Sequence, residues 1–263
     1  MYAFTLERPA SLDDAVQLAG AGAKVLAGGQ TLLASMKLRL SDPGQLVDIS
    51  GIAGLSAIAR EGDAFRIGAM ARHLDVANHA ELKAACPALA DLASRIGDRQ
   101  VRAMGTIGGS VANNDPAACY PSAVLGAGAT VITNRREIKA DDFFLGMFST
   151  ALEDGELITA FRFPVPQKAA YEKLRQKASH FPLVGVFVSK FADGVRVAVT
   201  GAGNGVFRHT GLEQALNKSF TPEAAAGVAI DSSELNSDLH ATAAYRANLI
   251  SVMTQRAVVK ALG

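Results

Sequence analysis

Residues 106–121 read TIGGSVANNDPAACYP. Thr106–Ile107 starts like a β segment and runs into Gly108 and Gly109. Small and polar residues follow, then Asp115 before Pro116, then Cys119. No helical period fits the stretch, and no strand alternation survives past Val111. Paired glycines let a backbone come very close to another group. The stretch therefore predicts a glycine turn whose N–H groups face a ligand.

A second stretch of the same design lies upstream. KVLAGG (24–29) reads as a short buried strand entering a glycine pair, and AGGQT (27–31) as the turn. QTLLASMKLRL (30–40) carries apolar residues at 32, 33, 36 and 40, a helical spacing. QLVDIS (45–50) reads as the next strand, so the order is β–turn–α–β and predicts a small parallel unit. Gly–Gly exposes successive N–H groups without Cβ obstruction, which makes an anion nest. In the first stretch the nest leads into a helix N-terminus, where the dipole favours phosphate. Either pair alone reads more simply as a tight turn between strands. Both together, with Asn113 and Asp115 downstream, favour a diphosphate held from two sides. The familiar fingerprints GxGxxG and GxxxxGK[ST] are absent from strand–helix junctions. GAGNG (201–205) follows a hairpin strand and reads as a turn. A dinucleotide bound here requires a non-Rossmann fold.

Outward from these stretches the pattern is mixed. Ser11 before LDDAVQLAG reads as a capped helix start. LSAIAREGDAFRIGAM (55–70) reads as a hairpin turning at Glu61-Gly62-Asp63. Helical patterns follow around 73–80 and 87–96, with Pro87 suited to a first helical position. PSAVLGAG starts a short helix, ATVITNRREIKADDFF is a hairpin around Asn134, and ELITAFRFP (156–164) is a strand closed by Pro164 and Pro166. PVPQKAA is the best domain boundary in the chain. Beyond it, YEKLRQKAS and LVGVFVSKFADGVRVAVTGAG predict three strands, with Asp193-Gly194 as a hairpin turn. Thr221-Pro222 opens a helix, and a last helix runs from about 238 to 261 with Tyr245, Leu249, Val252, Met253 and Val259 on one face.

Composition narrows the function classes. The chain has 263 residues, half of them hydrophobic, enough for two domains with sizeable cores. A net charge of +1 and the absence of Trp argue against nucleic acid or an anionic membrane as the main partner. Cys86 and Cys119 are too few and too far apart to hold a zinc ion or a cluster. No leader pattern or membrane-spanning run is present, so a reduced, cytoplasmic protein is expected. The five histidines, His73, His79, His180, His209 and His240, show no metal spacing and read as caps or surface residues. Arg95, Arg99 and Arg102 beside Asp98 read as a solvated helix end or a subunit contact. GxSxG is absent, which leaves serine-hydrolase chemistry without support.

AGGQTLLASMKLRL together with TIGGSVANNDPAACYPSAVLGAGATV resembles the FAD-binding medium subunit of molybdenum hydroxylases. This is the carbon monoxide dehydrogenase and xanthine dehydrogenase family, with the flavin fold of vanillyl-alcohol oxidase relatives. The resemblance continues through EIKADDFF, ELITAFRFP and the TGAG turn, so it covers nearly the whole chain. It implies an α+β fold: a two-lobed FAD-binding domain over 1–165, with lobes of about 1–53 and 54–165, and a C-terminal domain over 168–263 made of a three-stranded antiparallel sheet with a helical bundle. It implies FAD as cofactor, held by Ala27, Gly28, Gly29, Gln30 and Thr31 and by Thr106, Ile107, Gly108, Gly109 and Ser110, mostly through backbone N–H groups. By position, Asn113 lies near the flavin, and Leu157 and Ile158 supply apolar or backbone contact to a ring. Lys177 is either a cation near the flavin pyrimidine edge or a solvated strand lysine. Many members carry an acidic residue where Cys119 stands, contacting the ADP part of FAD. A thiol is a poor acceptor, so that contact is expected to be lost or rerouted, for instance through Asp115. Covalent relatives of the wider fold attach FAD through a histidine near the first glycine loop. Gln30 in that place implies non-covalent FAD.

The resemblance further implies partners: a [2Fe-2S] small subunit and a molybdenum-cofactor large subunit, in a heterotrimer or a dimer of heterotrimers. Electrons reach FAD from the clusters and leave to an external acceptor, with no side chain of this chain acting as an acid–base catalyst. Two other readings stand beside it. A stand-alone FAD oxidoreductase would need a convincing acid or base over the ring. An assembly subunit that has lost FAD would be consistent with Cys119 but not with two intact glycine turns.

Overall fold

The computed structural model describes residues 1–263. Three main sheets, a two-stranded hairpin of Phe144–Gly146 with Ser149–Thr150, and helices between and around them make the fold. The N-terminal sheet is parallel: strand Gln45–Asp48 lies between Thr5–Glu7 and Lys24–Leu26. Ser11 caps the first helix, Leu12–Gly20, by accepting from the Asp14 N–H. The parallel unit expected from the β–turn–α–β order is thus present. Its edge strand Thr5–Glu7 went unread, because three exposed residues carry no alternation to detect.

The middle sheet has five strands. Ile158–Pro164 pairs on one side with Ala64–Gly68 and on the other with Thr130–Thr133, all antiparallel. Ile58–Glu61 and Glu137–Lys139 form the edges, each through the expected hairpin. Helices His73–Asn78, Ala80–Ala85, Pro87–Ser94, Ile107–Asn113 and Tyr120–Gly126 pack beside this sheet. Phe65, Phe161, Tyr120 and Leu92 are among the fully buried side chains of its core.

The C-terminal sheet has four strands rather than the expected three: Lys168–Arg175, Pro182–Lys190, Val195–Thr200 and Phe207–Arg208. The fourth is two residues long, too short to show a period. The last helix is Ala243–Leu262, starting later than expected. Asp238 ties up the His240 and Ala241 N–H groups in a turn, and Thr242 then caps the helix through the Tyr245 N–H. The buried face holds Arg246, Leu249, Ile250, Met253 and Ala257, while Tyr245 and Val259 are exposed. Arg246 is the reason for the displaced stripe. Its guanidinium donates to Leu183 O and Gly201 O at 2.7 Å each and to Asp238 at 2.7 Å, pulling that edge of the helix inward. No helix is long and apolar enough to cross a membrane.

Candidate functional site: an open cleft between two glycine segments

A cleft of about 1050 Å³ opens between the two glycine segments. That is the size class of a large cofactor site. Ala27 to Thr31 form one wall. Gly29 has φ +68°, and this left-handed residue turns the chain from the Lys24–Leu26 strand into helix Leu32–Lys37. None of the backbone N–H groups of Ala27, Gly28, Gly29, Gln30 and Thr31 is donated to a protein acceptor. A run of unpaired donors around a left-handed glycine has the geometry of an anion nest. The Gln30 side chain folds back onto Gly28 O at 3.2 Å and so braces the loop.

The opposite wall corrects the reading of residues 106–121. Gly108 and Gly109 are not a turn; they sit in the first turn of helix Ile107–Asn113. Thr106 caps that helix, its hydroxyl accepting from the Gly109 N–H at 3.2 Å. The other N–H groups are spent as well: Ile107 donates to Ala71 O, Gly108 to Ala69 O and Ser110 to Thr106 O. The nest is therefore one-sided. The second pair has a different physical role, which is close approach. A Cβ on Gly108 would stand 2.6 Å from Ala69 O, and one on Gly28 would stand 2.2 Å from Met104 O. A Cβ on Gly109 would meet only Thr106 Oγ1 at 3.0 Å and the Ala27 Cβ at 3.7 Å. Gly28 and Gly108 thus let the two walls pack on their neighbours, and Gly109 keeps the gap between the walls open. Asn114 ends the helix in the left-handed region at φ 43°, and its side-chain amide donates to Gly146 O and Ser149 O.

Most of the expected residues meet here. Ala27 to Thr31, Thr106, Gly108, Gly109, Ser110, Asn113, Asp115, Cys119, Leu157 and Ile158 all line the cleft. Ile107 does not; its side chain is fully buried in the core of the middle sheet. Asp115 is only partly free to stand in for an acid at position 119, since its Oδ1 accepts from the Ala117 N–H at 2.8 Å. The loop it opens is pinned from the C-terminal sheet by the Thr200 hydroxyl, which is 2.8 Å from Pro116 O and 2.7 Å from Ala118 O. Leu157 and Ile158 are held by the corner at Glu156. That buried carboxylate accepts from Thr133 Oγ1, from Arg136 Nε and Nη2, and from the Glu153 N–H. Arg136 beside it is the main reason its pKa is held down at about 2.

Of the two readings of Lys177, the structure agrees with the solvated one. It is exposed on the turn after strand Lys168–Arg175 and does not line the cleft. The lysine in the wall is Lys173, only 7% exposed. Its ammonium donates to Arg95 O at 2.9 Å, His180 O at 2.7 Å and Cys119 Sγ at 3.4 Å. The signal was present: Lys173 stands two residues beyond the fully buried Tyr171, hence on the same inward face of the strand. Cys119 is the buried filler expected of it, but it is also this lysine's neighbour.

His73 was missed too. It is buried rather than a cap, lines the cleft, packs its ring 5.3 Å from that of Tyr120, and leaves Nδ1 without a partner. Burial, helped by the nearby Arg102 cation, lowers its pKa to about 4, so it is neutral at pH 7. His79 and His209 do cap helices, accepting from the Leu82 and Leu212 N–H groups. Arg95 is no solvated helix end: it donates to Tyr171 O and Glu172, tying helix Pro87–Ser94 to the C-terminal sheet.

These residues fit FAD as the notional ligand: an unspent nest for a diphosphate, apolar walls for rings, and an open cleft of matching size. The comparisons agree. Residues 2–166 match the family described as FAD binding domain in molybdopterin dehydrogenase, and the chain belongs to that family. It is 36% identical to the carbon monoxide dehydrogenase medium chain of Hydrogenophaga pseudoflava, covering 97% of this chain and 96% of that one. It is 33% identical to the nicotine 6-hydroxylase medium subunit of Paenarthrobacter nicotinovorans, covering 96% and 95%. Among solved structures, carbon monoxide dehydrogenase from Hydrogenophaga pseudoflava lacking the Mo-pyranopterin moiety superposes with a TM-score of 0.92 at 36% identity, over 99% of this chain and 98% of that chain.

Proposed function

We propose that this chain is the FAD-carrying electron-transfer subunit of a multi-subunit molybdenum hydroxylase. It takes electrons from [2Fe-2S] clusters on a small partner subunit, a large partner holding the molybdenum cofactor and the substrate. It passes them to an external acceptor. The observation that carries this reading is the unspent nest at Ala27–Thr31, opening on a large cleft, in a chain that aligns end to end with medium chains of such enzymes.

When bound, FAD supplies the redox chemistry. The residues of this chain bind and orient it. Ala27 to Thr31 hold the diphosphate through their N–H groups, with Thr106, Gly109, Ser110 and Asn113 across the gap. Leu157 and Ile158 give apolar contact, and Asp115, Cys119 and Lys173 form the polar end of the wall. Gln30 offers no nucleophile for a covalent link, so FAD is held non-covalently. Both cysteines are free and buried, in keeping with a reducing, cytoplasmic setting. The proposed division is an FAD-binding part over 1–165 with lobes of about 1–53 and 54–165, and a C-terminal part over 168–263.

The test is a visible spectrum of the natively purified protein before and after acid precipitation, with molybdenum and iron assayed in the co-purifying chains. Flavin bands in the supernatant and metals on partner chains are the expected result. Flavin without metals or partners would point instead to a stand-alone FAD oxidoreductase. No flavin even after adding FAD back would remove the cofactor reading.

A further inference from the structure

We infer that Cys119 and Lys173 are a redox-sensitive pair: hydrogen peroxide oxidises the Cys119 sulfur, which then joins the Lys173 nitrogen in a covalent S–N bond, a sulfenamide that thiols reverse. The inference goes beyond the FAD reading and does not depend on it, because it concerns two side chains of this chain that touch each other.

Both residues are buried, yet both line the cleft, so a small oxidant reaches them. Lys173 Nζ lies 3.4 Å from Cys119 Sγ. That is inside the range of about 3–3.5 Å at which reacting atoms stand in a near-attack arrangement. The surroundings of Lys173 suit an amine better than an ammonium ion. It has no carboxylate among its contacts, and burying an unpaired cation is costly. Glu156, Arg246 and Glu213, buried to the same degree, each sit in an ion pair. Burial lowers the Lys173 pKa from its ordinary value, with Cys119 opposing the shift and Arg95 and Arg175 adding to it. A neutral amine keeps two N–H groups and one lone pair. The carbonyls of Arg95, at 2.9 Å, and His180, at 2.7 Å, take the two N–H groups. The lone pair is left to face the sulfur. The Tyr171 hydroxyl, on the same strand face, is fully buried without a hydrogen-bond partner, and Cys119 beside it adds to burial in suppressing its ionisation. It is a donor free to take the oxygen that the sulfur carries after oxidation. The chemistry has two steps. The sulfur first attacks one peroxide oxygen: the O–O bond breaks, S–O forms, the sulfur is oxidised by two electrons, and the thiol hydrogen leaves with the other oxygen as water. The Lys173 nitrogen then attacks the same sulfur: S–N forms, S–O breaks, and the hydroxyl leaves with one amine hydrogen as a second water. Cys86 is also buried but does not line this cleft, and burial raises its pKa, so it stays a thiol.

The experiment treats the full-length chain, without added flavin, with hydrogen peroxide after its reductant has been removed. The chain is then denatured, its free thiols are alkylated, and its peptides are mapped by mass spectrometry. The expected result is a chain mass lower by two hydrogen atoms, an alkylated Cys86, and the Cys119 peptide joined to the Lys173 peptide in a species that dithiothreitol splits. Lys173→Arg keeps the donors, but a guanidinium is no nucleophile; there Cys119 is expected to stop at the sulfenic acid, captured by dimedone. Unmodified Cys119 in the wild-type chain, sulfenic or higher acids there without the joined peptides, or a disulfide that consumes both cysteines would each overturn the inference and leave Lys173 as a tether between strand and loop. The deciding readout is the mass of the wild-type chain, so it needs neither a variant that folds nor bound FAD. A chain that binds no FAD would defeat the cofactor reading and leave this test standing, so the two failures are distinct.

Discussion

At the scale of single residues, the glycines of the cleft divide into two kinds that the sequence presents as one. Gly28 is packed against the Met104 carbonyl, where a Cβ would stand at 2.2 Å. Backbone cannot step aside as a flexible side chain can, so Gly28→Ala is expected to cost about 1–3 kcal/mol of stability by overpacking, read as a lower urea midpoint, and to disturb the nest with it. Gly109 faces the gap. Its added Cβ would press only on the Thr106 hydroxyl at 3.0 Å, within a helix where alanine is the better residue. Gly109→Ala should therefore keep wild-type stability to within about 1 kcal/mol and bind FAD at least tenfold more weakly. Equal losses of stability in the two variants would refute the distinction. His73 gives a pH signature of its own. Its pKa falls from 6.5 to about 4 on folding, so the unfolded chain binds the extra proton between those values. Stability is complete above the unfolded pKa and is lost as pH drops from 6.5 toward 4, on the order of 3 kcal/mol by linkage. His73→Leu should flatten that part of the stability curve while leaving the more acidic limb, due to carboxylates such as Glu156, in place.

At the scale of elements, each side of the cleft is built by a junction whose side chains do the holding. The Glu156 corner joins the hairpin around Asn134 to strand Ile158–Pro164, and Asn134 itself accepts from the Leu157 N–H at 2.8 Å. Glu156→Ala would remove the buried carboxylate that takes the Arg136 guanidinium and the Glu153 N–H, while Thr133 Oγ1 keeps Arg136 O. Loss of one partner of a buried pair costs about 3–5 kcal/mol; partial exposure of Arg136 favours the lower end. A chemical-denaturation shift of less than about 1 kcal/mol would show that the corner is held by packing alone. The same elements show what sequence can and cannot reveal. The hairpins at Gly62 and Asn134, the capped helices at Ser11 and Thr221, and the parallel unit were legible because turn and cap chemistry is local. Helix Ile107–Asn113 was not legible. Two glycines hide its propensity, and its N–H groups are satisfied from Ala69 and Ala71, a pairing that only the folded chain discloses. For the same reason the two glycine pairs looked alike, although one is an open nest and the other is packed shut. Lys173 was legible in principle, from the strand period that buries Tyr171, but a lysine is read outward by default.

At the scale of the whole molecule, the proposed boundary near 165 separates chain segments more cleanly than it separates cores. Tyr171, Phe187 and Ala198, all beyond that boundary, belong to the same buried cluster as Phe65, Tyr120 and Phe161. Polar groups cross as well: Arg95 reaches Tyr171 O at 2.9 Å, Lys260 near the chain end reaches Asp91 at 3.0 Å, and Ser189 reaches Gly126 O at 2.6 Å. A cut after residue 166 would strip the rings of Tyr171 and Phe187 from that cluster and open the wall that carries Lys173. Each large side chain removed from a core costs about 3–5 kcal/mol, which together approaches the whole stability of an ordinary domain. A fragment of residues 1–166, although it coincides with the family match, is therefore expected to lack a sharp thermal transition and to bind FAD poorly. The full chain should unfold in one step whether followed by near-ultraviolet circular dichroism or by far-ultraviolet circular dichroism. A fragment melting cooperatively within a few degrees of the full chain would show that the shared cluster is only an interface between two independently stable halves. The cofactor cleft would then be closed by docking of the C-terminal sheet rather than formed with it.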